Sequence, residues 1–532
     1  MKKTIETQIL IVGGGVTGTG IARDLSLRGF DVILIEKKDL NAGASGGNHG
    51  LLHSGARYIC SDPEAAVECN QENRIIKRMA GHCVEETGGF FVAVQGDDER
   101  YIADFPGMCE KSGIWFKPID VREALQMEPT LSPETIAVYA VNDASINPFK
   151  LSIENMKDVT LRGGSYFSDC ILEAFIMENK QITLAKVKNL RTHEIMYIKA
   201  DTYVNATGAW AGHVASLAGV PIHMVFSKGT LLVTSKRVTK RVINRLRKAT
   251  DGDILVPGGV VSILGTTSVR IDSPDHIFPT VAEVDQIVNE GEKMVPSLKT
   301  CRYVRAYSGV RPLVSIGGRD DREVSRGFTL IDHERDGVNN FLTITGGKLS
   351  TYRLMAQKTA DMVCQKNGVN FKCQTEQIPL PSTQSGEWSE PTVFINHFNQ
   401  TGQHDPILCE CEMVPASAVD TIMDAIKKDQ GRPDLTAIAL RSRVGKGPCQ
   451  GAFCSIRILS HMYNTSNLIH HQGLDDLKRF LNERWKGEQP LLWGAAIVQS
   501  SIKEMIHCGL FGLELETDQV MTQILADIEN ER

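Results

Sequence analysis

No run of about eighteen consecutive apolar residues occurs anywhere in the chain, so the sequence encodes no membrane span of its own. An excess of positive charge is missing too. The 58 lysines and arginines face 64 aspartates and glutamates, a formal charge of −6, which argues against a nucleic-acid partner. Nor is there room for an apolar targeting region, because MKKTIETQ leads almost directly into the first apolar strand. The expected place is therefore the cytosol or a matrix-like compartment, where the 13 cysteines should be free or metal-bound rather than paired as disulfides. A composition of 42% hydrophobic and 23% charged residues is neither disordered nor fibrous, and 532 residues exceed one ordinary core. About two to four domains are expected.

What is present begins at Ile9. Ile9–Val12 is a short apolar run ending in glycine, the pattern of a strand buried on both faces of a parallel sheet. Gly13, Gly15 and Gly18 then give G-x-G-x-x-G. The first permits a tight turn, the second lets backbone approach a pyrophosphate, and the third lets the next helix pack closely on the strand. That helix is predicted to run to about Leu27, with Ile21 and Leu25 on one face and Gly29 as its stop. Its N-terminus aims unpaired N–H groups and the positive dipole end at the phosphates. A second buried strand, Val32–Ile35, ends in Glu36. This carboxylate is placed to accept bonds from an adenosine ribose and would repel a 2′-phosphate, which disfavours NADP. Strand, glycines, helix, strand and acid in this order make a dinucleotide site, with FAD and NAD both open at this point.

Residues 41–58, NAGASGGNHGLLHSGARY, form a small-residue loop whose backbone N–H groups stay accessible to a cofactor, and His49, His53 and Arg57 lie in it. Residues 64–145 alternate helical patterns with apolar runs such as GGFFVAV, the start of a substrate-covering domain whose sheet is expected from the strand-rich residues 221–320. Between them NATGAW, residues 205–210, ends an apolar strand in a second small-residue turn, more typical of flavoproteins than of simple NAD dehydrogenases. Residues 341–363 read as a strand, then Gly346-Gly347-Lys348, then a helix with Leu349, Met355, Thr359 and Met362 on one stripe. The start of that helix could face the negative charge of a reduced flavin ring.

Taken in order, GGGVTGTGIARDL, NHGLLHSGARY, NATGAW, GTTS, YSGVRPL and GGKLSTYRLMA resemble the FAD-dependent glycerol-3-phosphate dehydrogenases, most of all the A-type subunit of the bacterial anaerobic enzyme, over essentially the whole chain. The resemblance implies an α/β fold. A Rossmann-like FAD-binding domain of the D-amino-acid-oxidase (glutathione-reductase-like) type would be discontinuous over 1–375, with a sheet-based substrate domain inserted at roughly 64–145 and 221–320. It also implies oxidation of sn-glycerol 3-phosphate to dihydroxyacetone phosphate by hydride transfer to FAD. Electrons would leave through two partners, an electron-transfer subunit then a membrane-anchor iron–sulfur subunit, to membrane quinone in anaerobic respiration. The chain would then be cytoplasmic and peripheral on the inner membrane through those partners. FAD contacts are expected at Gly13, Gly14, Gly15, Thr17, Gly18, Glu36, Ser45, His49, Gly50, Ala206, Gly208, Gly346, Gly347, Lys348 and Leu349. Arg57, Arg311 and Lys348 match family positions for phosphate and substrate, and arginine suits phosphate because its planar fork bonds two oxygens. His53 is the candidate base for the hydroxyl proton, with His49 and Lys348 behind it. Two other readings stay open. The same fold could oxidise an amino acid or 2-hydroxy acid, or the chain could be a non-catalytic electron-transfer or assembly component that keeps flavin.

Residues 376–404, proline-rich and polar, are predicted as a linker. Beyond it stand Cys409 and Cys411 as C-x-C and, after a gap of 37 residues, Cys449 and Cys454 as C-x4-C. Zinc commonly takes C-x2-4-C pairs, which the first half fits poorly. The arrangement resembles BFD-like domains that bind a 2Fe-2S cluster, implying such a domain at 405–460. Arg441, Arg443, Lys446 and Arg457 flank the second pair, either to offset the negative charge of a tetrathiolate cluster or as a solvated face. A cluster would convert the two-electron input of flavin into single-electron steps. Residues 461–532 read as helical, with apolar faces over Leu474–Trp485 and over 491–515, for core packing or for a partner protein.

Overall fold

The computed structural model describes residues 3–314, 327–383, 405–429, 431–469 and 471–513. The strand β1 (Lys3–Val12), helix α1 (Val16–Leu27) and strand β2 (Val32–Ile35) form where the apolar pattern places them. β1 has a parallel neighbour on each side, so Val12 stands level with Ile35 of β2 and with Asn205 at the end of strand Ile195–Asn205. Strand Phe341–Gly346 continues the parallel set, with Thr343 level with Asn205. The carboxyl ends of these strands therefore share one edge, the edge at which open α/β sheets bind ligands. Among the described residues the sheet is completed by Cys170–Glu178, Gln181–Asn189 and Ser165–Phe167, with Phe328–Asp332 beside Phe341–Gly346.

Side chains of β1 alternate between two cores, as strand geometry requires. Ile9 and Ile11 pack with Ile21 and Leu25 of α1 and with Met355, Ala360 and Val363 of helix Tyr352–Lys366. Leu10 and Val12 face Phe175, Tyr203 and Phe341 on the other side. Covering on both faces explains the unbroken apolar run in the sequence.

A second sheet gathers strands from two distant stretches. Phe116–Ile119, Thr135–Val141 and Gly89–Val94 join Val242–Arg245, Ile254–Gly258, Val261–Gly265 and Met224–Thr234 through the parallel pair of Gly89–Val94 with Val242–Arg245. Strand Tyr303–Val314 then runs along Met224–Thr234, placing Arg311 opposite Ser227 and Gly309 opposite Gly229. A Cβ on Gly229 would stand 2.7 Å from an Arg311 guanidinium nitrogen, so that glycine makes room for the side chain.

The region from 405 to 513 has its own core, built by Val419, Met423, Ile438, Ile458, Met462 and Phe480 from helices Ala416–Lys428, Leu435–Leu440, Cys454–Asn464 and Gln472–Glu488. It is fastened to the loop after β2, because buried Arg441 donates to Asp39 at 2.7 and 3.0 Å and to Asp429 at 2.8 Å. No helix among the described residues is long and apolar enough to cross a membrane, and all 13 cysteines are free thiols.

One expectation needs correcting, and one alternative is narrowed. Residues 376–383, read as the start of a linker, are packed down instead: Leu380 and Ser382 are buried, Ser382 bonds Glu154 at 2.8 and 2.9 Å, and Arg23 reaches the Ile378 carbonyl at 2.6 Å. Proline content marks irregular backbone but does not show whether that backbone is held. The remaining linker residues, 384–404, lie outside the described residues, as do 315–320 and 514–532 of the strand-rich and helical predictions. The helix Ala495–Glu504 buries none of its residues, and Ile497, Val498 and Ile502 are exposed. An apolar stripe fixes which side of a helix is sticky, and says nothing of what lies over it.

Candidate functional site

The glycine turn after β1 is held by contacts that only glycine tolerates. Gly13, at φ +116°, would put a Cβ 2.6 Å from the Ala206 carbonyl oxygen, and a Cβ on Gly18 would stand 2.0 Å from the Gly13 oxygen. At Gly15 a Cβ would meet Ser45 Oγ at 3.1 Å, a side-chain contact where those at Gly13 and Gly18 are with backbone. Val16 N–H, in the first turn of α1, donates to Ser45 Oγ at 2.9 Å. Glu36 is steered onto the same turn, accepting from Gly14 N–H at 2.7 Å and from Lys38 N–H at 2.9 Å. Ala206 N–H donates to the Val12 carbonyl at 2.9 Å, which brings the NATGAW turn against the first glycine. Thr345 Oγ1 donates to the Gly208 carbonyl at 3.0 Å and joins that turn to Gly346-Gly347. Both of those glycines have positive φ and lead into a single tight turn, Leu349–Thr351, so Leu349 precedes the helix stripe instead of starting it. Thr17 Oγ1 meets the Met355 sulfur of the following helix, and Gly50, at φ +67°, carries the flanking loop past Ile146.

The loop 41–58 is laid on strand Tyr303–Val314. Tyr307 O–H donates to the Asn48 carbonyl at 2.8 Å, and the Gly47 oxygen passes 2.3 Å from where a Gly309 Cβ would stand. From the other side, helix Pro63–Met79 offers Asn73, whose amide donates to the Leu52 and His53 carbonyls at 3.1 and 3.2 Å. Held this way, three rings line up. His49 and His53 meet edge to face at 5.9 Å, His53 and Tyr58 at 5.2 Å, and the Tyr58 hydroxyl lies 3.3 Å from His53 Nε2. Lys348 Nζ stands 4.6 Å from the centre of the Tyr58 ring.

The guanidinium groups close the site. Arg311 donates to Ser227 Oγ at 3.3 Å, to the Thr267 carbonyl at 3.1 Å and to the Thr266 hydroxyl. Arg57 donates to the Thr250 carbonyl at 3.2 Å and lies 3.4 Å from Asp253, while its Nη1 is shielded from solvent with no hydrogen-bond partner. His49 is close enough to both arginines to feel their charge. Desolvation of its ring, then the positive charges of Arg57 and Arg311, lower it to about 3. It is therefore neutral at any working pH, and its Nδ1 is also buried without a partner. Two shielded polar atoms without partners, beside paired guanidiniums and an imidazole–phenol pair, suit an anionic ligand carrying a hydroxyl group.

The structure thus brings together His49, His53, Arg57, Arg311 and Lys348 from three distant stretches. Sequence reasoning passed over Tyr58, Thr266 and Ser227. Tyr58 directly follows Arg57 and Thr266 lies within GTTS, so both stood inside noticed motifs; Ser227 carries no local signal and is placed only by strand pairing.

The four tail cysteines also converge. Each thiol of the first motif meets one of the second, Cys409 with Cys454 and Cys411 with Cys449, and Cys449 also meets Cys454. Backbone N–H groups point at the sulfurs: Glu412 and Gly445 at Cys409, Cys449 at Cys411, and Gly451 and Phe453 at Cys449. The bond from Cys454 holds Cys409 below the ordinary thiol range and brings Cys449 down to about 5, while burial pushes Cys411 up to about 11. Among the described residues no group of three or more His, Cys, Asp or Glu side chains is arranged to hold a metal ion. Three of the four flanking cations are already neutralised: Arg441 by Asp39 and Asp429, Arg443 by Glu412 at 2.8 Å, and Arg457 by Glu410 at 2.6 Å.

Residues 8–362 match the family model described as FAD dependent oxidoreductase. The chain is 42% identical to the A-type subunit of anaerobic glycerol-3-phosphate dehydrogenase from Escherichia coli (strain K12), over 97% of this chain and 99% of that protein. It is 36% identical to the A1-type subunit of the anaerobic glycerol-3-phosphate dehydrogenase of Haloferax volcanii, over 95% and 90% of the two chains. Among solved structures, the glycerol-3-phosphate dehydrogenase of Bacillus halodurans complexed with FAD superposes with a TM-score of 0.62 at 20% identity, over 91% of this chain and 94% of that one. Glycine oxidase of Bacillus cereus superposes with a TM-score of 0.53 at 19% identity, over 68% and 95%. At such identities these two likenesses concern the fold alone.

Proposed function

The chain belongs to the FAD dependent oxidoreductases and, within them, to the family of A-type subunits of anaerobic glycerol-3-phosphate dehydrogenase; from that premise we propose how its own residues carry out the oxidation of sn-glycerol 3-phosphate to dihydroxyacetone phosphate. FAD is its cofactor, and when bound it supplies the two-electron acceptor for hydride. The glycine turn, the start of α1 and Glu36 hold its adenine half, and the loop around Ser45, His49 and Gly50, with Ala206, Gly208 and the Gly346–Leu349 turn, encloses the rest. Arg57 and Arg311 hold the substrate phosphate, which fixes the carbinol carbon in one orientation. Tyr58 takes the substrate's hydroxyl proton as it hands its own to His53 Nε2, which ends protonated as the base, with Lys348 beside the phenol ring. His49, kept neutral by its surroundings, accepts a hydrogen bond at Nδ1 without adding charge.

The observation that carries this reading is the shielded, partnerless Nη1 of Arg57, with His49 feeling the charge of both Arg57 and Arg311 and standing 5.9 Å from His53 of the His53–Tyr58 pair. Steady-state rates with glycerol 3-phosphate, lactate, glycine and 2-hydroxyglutarate test it. Turnover of glycerol 3-phosphate alone is expected, and preference for a carboxylate substrate would overturn the phosphate assignment.

The same reading extends to the tail. Residues 405–460 bind a 2Fe-2S cluster through Cys409, Cys411, Cys449 and Cys454, supported by the meeting of the four thiols and by the N–H groups aimed at them. Electrons then pass to partner subunits and on to membrane quinone, with the chain held at the cytoplasmic face of the membrane by those partners. That the relatives are named as subunits of an enzyme supports such an assembly. Iron and sulfide reconstitution should give visible charge-transfer absorption that Cys409→Ser abolishes. Zinc uptake without such absorption would refute the cluster.

A further inference from the structure

The loop that follows β2 touches the glycine turn at two points. Asn41 N–H donates to the Gly14 carbonyl at 3.1 Å, and Ser45 Oγ accepts from Val16 N–H at 2.9 Å. Asn41 stands at φ +65°, a sparsely populated conformation for a residue with a side chain, which persists only where neighbours hold it. Its amide donates to the Phe149 carbonyl at 3.1 Å, and the Ser152 hydroxyl donates to it at 2.6 Å. The start of the loop is held differently, by the tail. Asp39 is a buried carboxylate, and it accepts from Arg441 at 2.7 and 3.0 Å and from the Tyr166 hydroxyl at 3.0 Å. Three more tail contacts run over the same ground. Asp434 meets Arg191 at 2.9 Å; Arg191 also pairs with Asp169 at 2.6 Å, and Asp169 N–H holds the Lys38 carbonyl at 2.9 Å. A Cβ on Gly431 would stand 2.7 Å from Ser168 Oγ, and Lys446 Nζ stands 3.7 Å from the centre of the Phe149 ring. Helix Leu435–Leu440 is thus fastened at both ends, through Asp434 and Arg441, beside the loop that rests on the glycine turn. Withdrawing Arg441 would leave Asp39 charged and buried without its cation. The loop relieves that cost by turning Asp39 out to water, which draws Asn41 off the Gly14 carbonyl.

We infer that the tail is a clamp on the cofactor: seating of residues 431–446 against the loop after β2, through Arg441 and Asp39, is linked to FAD binding, so that the flavin is held tightly only while the tail is seated. Arg441 is a positioning residue in this scheme and is assigned no contact with flavin or substrate. Linkage is reciprocal, so bound FAD must fasten the tail by the same factor by which the seated tail tightens FAD. The inference rests on the flavin site described above and requires no metal at the tail cysteines.

The test uses the full-length protein, freed of flavin and titrated with FAD by flavin fluorescence, as wild type, Arg441→Met and Arg441→Lys. Cleavage of the tail by a dilute protease is timed with and without saturating FAD. In wild type FAD should slow that cleavage about tenfold, and the Met variant should bind FAD about tenfold more weakly, within the usual range for coupled sites. The Lys variant, which keeps a charge for Asp39 but loses the forked bond, should fall between the two. A Met variant that is cut rapidly in the tail yet binds FAD within about twofold of wild type overturns the link. So does wild-type cleavage that is indifferent to saturating FAD, a comparison that decides the matter if the Met variant does not fold. Wild-type protein that takes up no FAD overturns the flavin site itself and this inference with it.

Discussion

Replacing Arg57 by alanine removes one identifiable bond, and its effect can be worked out beforehand. The Arg57 Nη2 is occupied by the Thr250 carbonyl and Asp253, whereas Nη1 is shielded from solvent with no partner. If that N–H is reserved for a phosphate oxygen, Arg57→Ala forfeits one charge-assisted hydrogen bond, ~1.5–3 kcal/mol. This corresponds to about a 10- to 150-fold loss of kcat/KM for glycerol 3-phosphate. The fold should tolerate the change, because Asp253 keeps Arg247 at 2.8 Å and the Thr250 N–H at 2.5 Å. Steady-state dye reduction by the FAD-loaded variant measures the effect, with glycerol as a substrate that lacks the phosphate. The loss should be confined to the phosphorylated substrate. A kcat/KM for glycerol 3-phosphate within twofold of wild type, or an equal fall for glycerol, would refute the argument.

Three further outcomes follow from the same geometry. Gly309→Ala would press a methyl group onto the Gly47 carbonyl, backbone against backbone, so flavin retention measured by fluorescence should weaken about 5- to 150-fold, in line with the ~1–3 kcal/mol of overpacking; unchanged retention would detach the loop from that strand. Arg441→Met would strand Asp39 and Asp429 at the junction with the tail, costing roughly 3–5 kcal/mol and exposing the region after 404 to limited proteolysis, whereas a wild-type cleavage pattern would show that this pair does not fasten it. Burial pushes the Glu154 carboxyl up, but bonds from His82 and Ser382 more than reverse this and bring it down to about 2 from 4.5. A depressed carboxylate stabilises the fold above its unfolded pKa, so its contribution, on the order of 3 kcal/mol, should be whole above about pH 5 and vanish as pH falls towards 2. The stability difference between wild type and Glu154→Gln should shrink over that window, and a difference independent of pH would contradict it.

The opening β1–α1–β2 unit was legible because everything that makes it is local: an unbroken apolar run, a turn needing glycine, and a helix with Ile21 and Leu25 on one face. The residues of the candidate site were legible as types within motifs, but their meeting was not. His53 reaches Tyr58 within one loop, yet Lys348 and Arg311 arrive only because Phe341–Gly346 and Tyr303–Val314 take particular places in two sheets. Strand pairing at such separations depends on the register of whole sheets, which periodicity does not encode. The same limit hid the bond from Asp39 to Arg441, and it left open whether the apolar stripe of Ala495–Glu504 packs into a core or faces outward. At the tail, spacing singled out the four cysteines, while the ion pairs of the flanking arginines with Asp429, Glu412 and Glu410 became visible only in the structure.

The central claim is that this pocket oxidises a phosphorylated secondary alcohol directly against its own flavin. Anaerobic addition of sn-glycerol 3-phosphate to the FAD-loaded chain, with no partner protein present, tests it by the visible flavin absorbance. Loss of that absorbance in proportion to added substrate is the predicted result; a spectrum that stays oxidised at saturating glycerol 3-phosphate would contradict it.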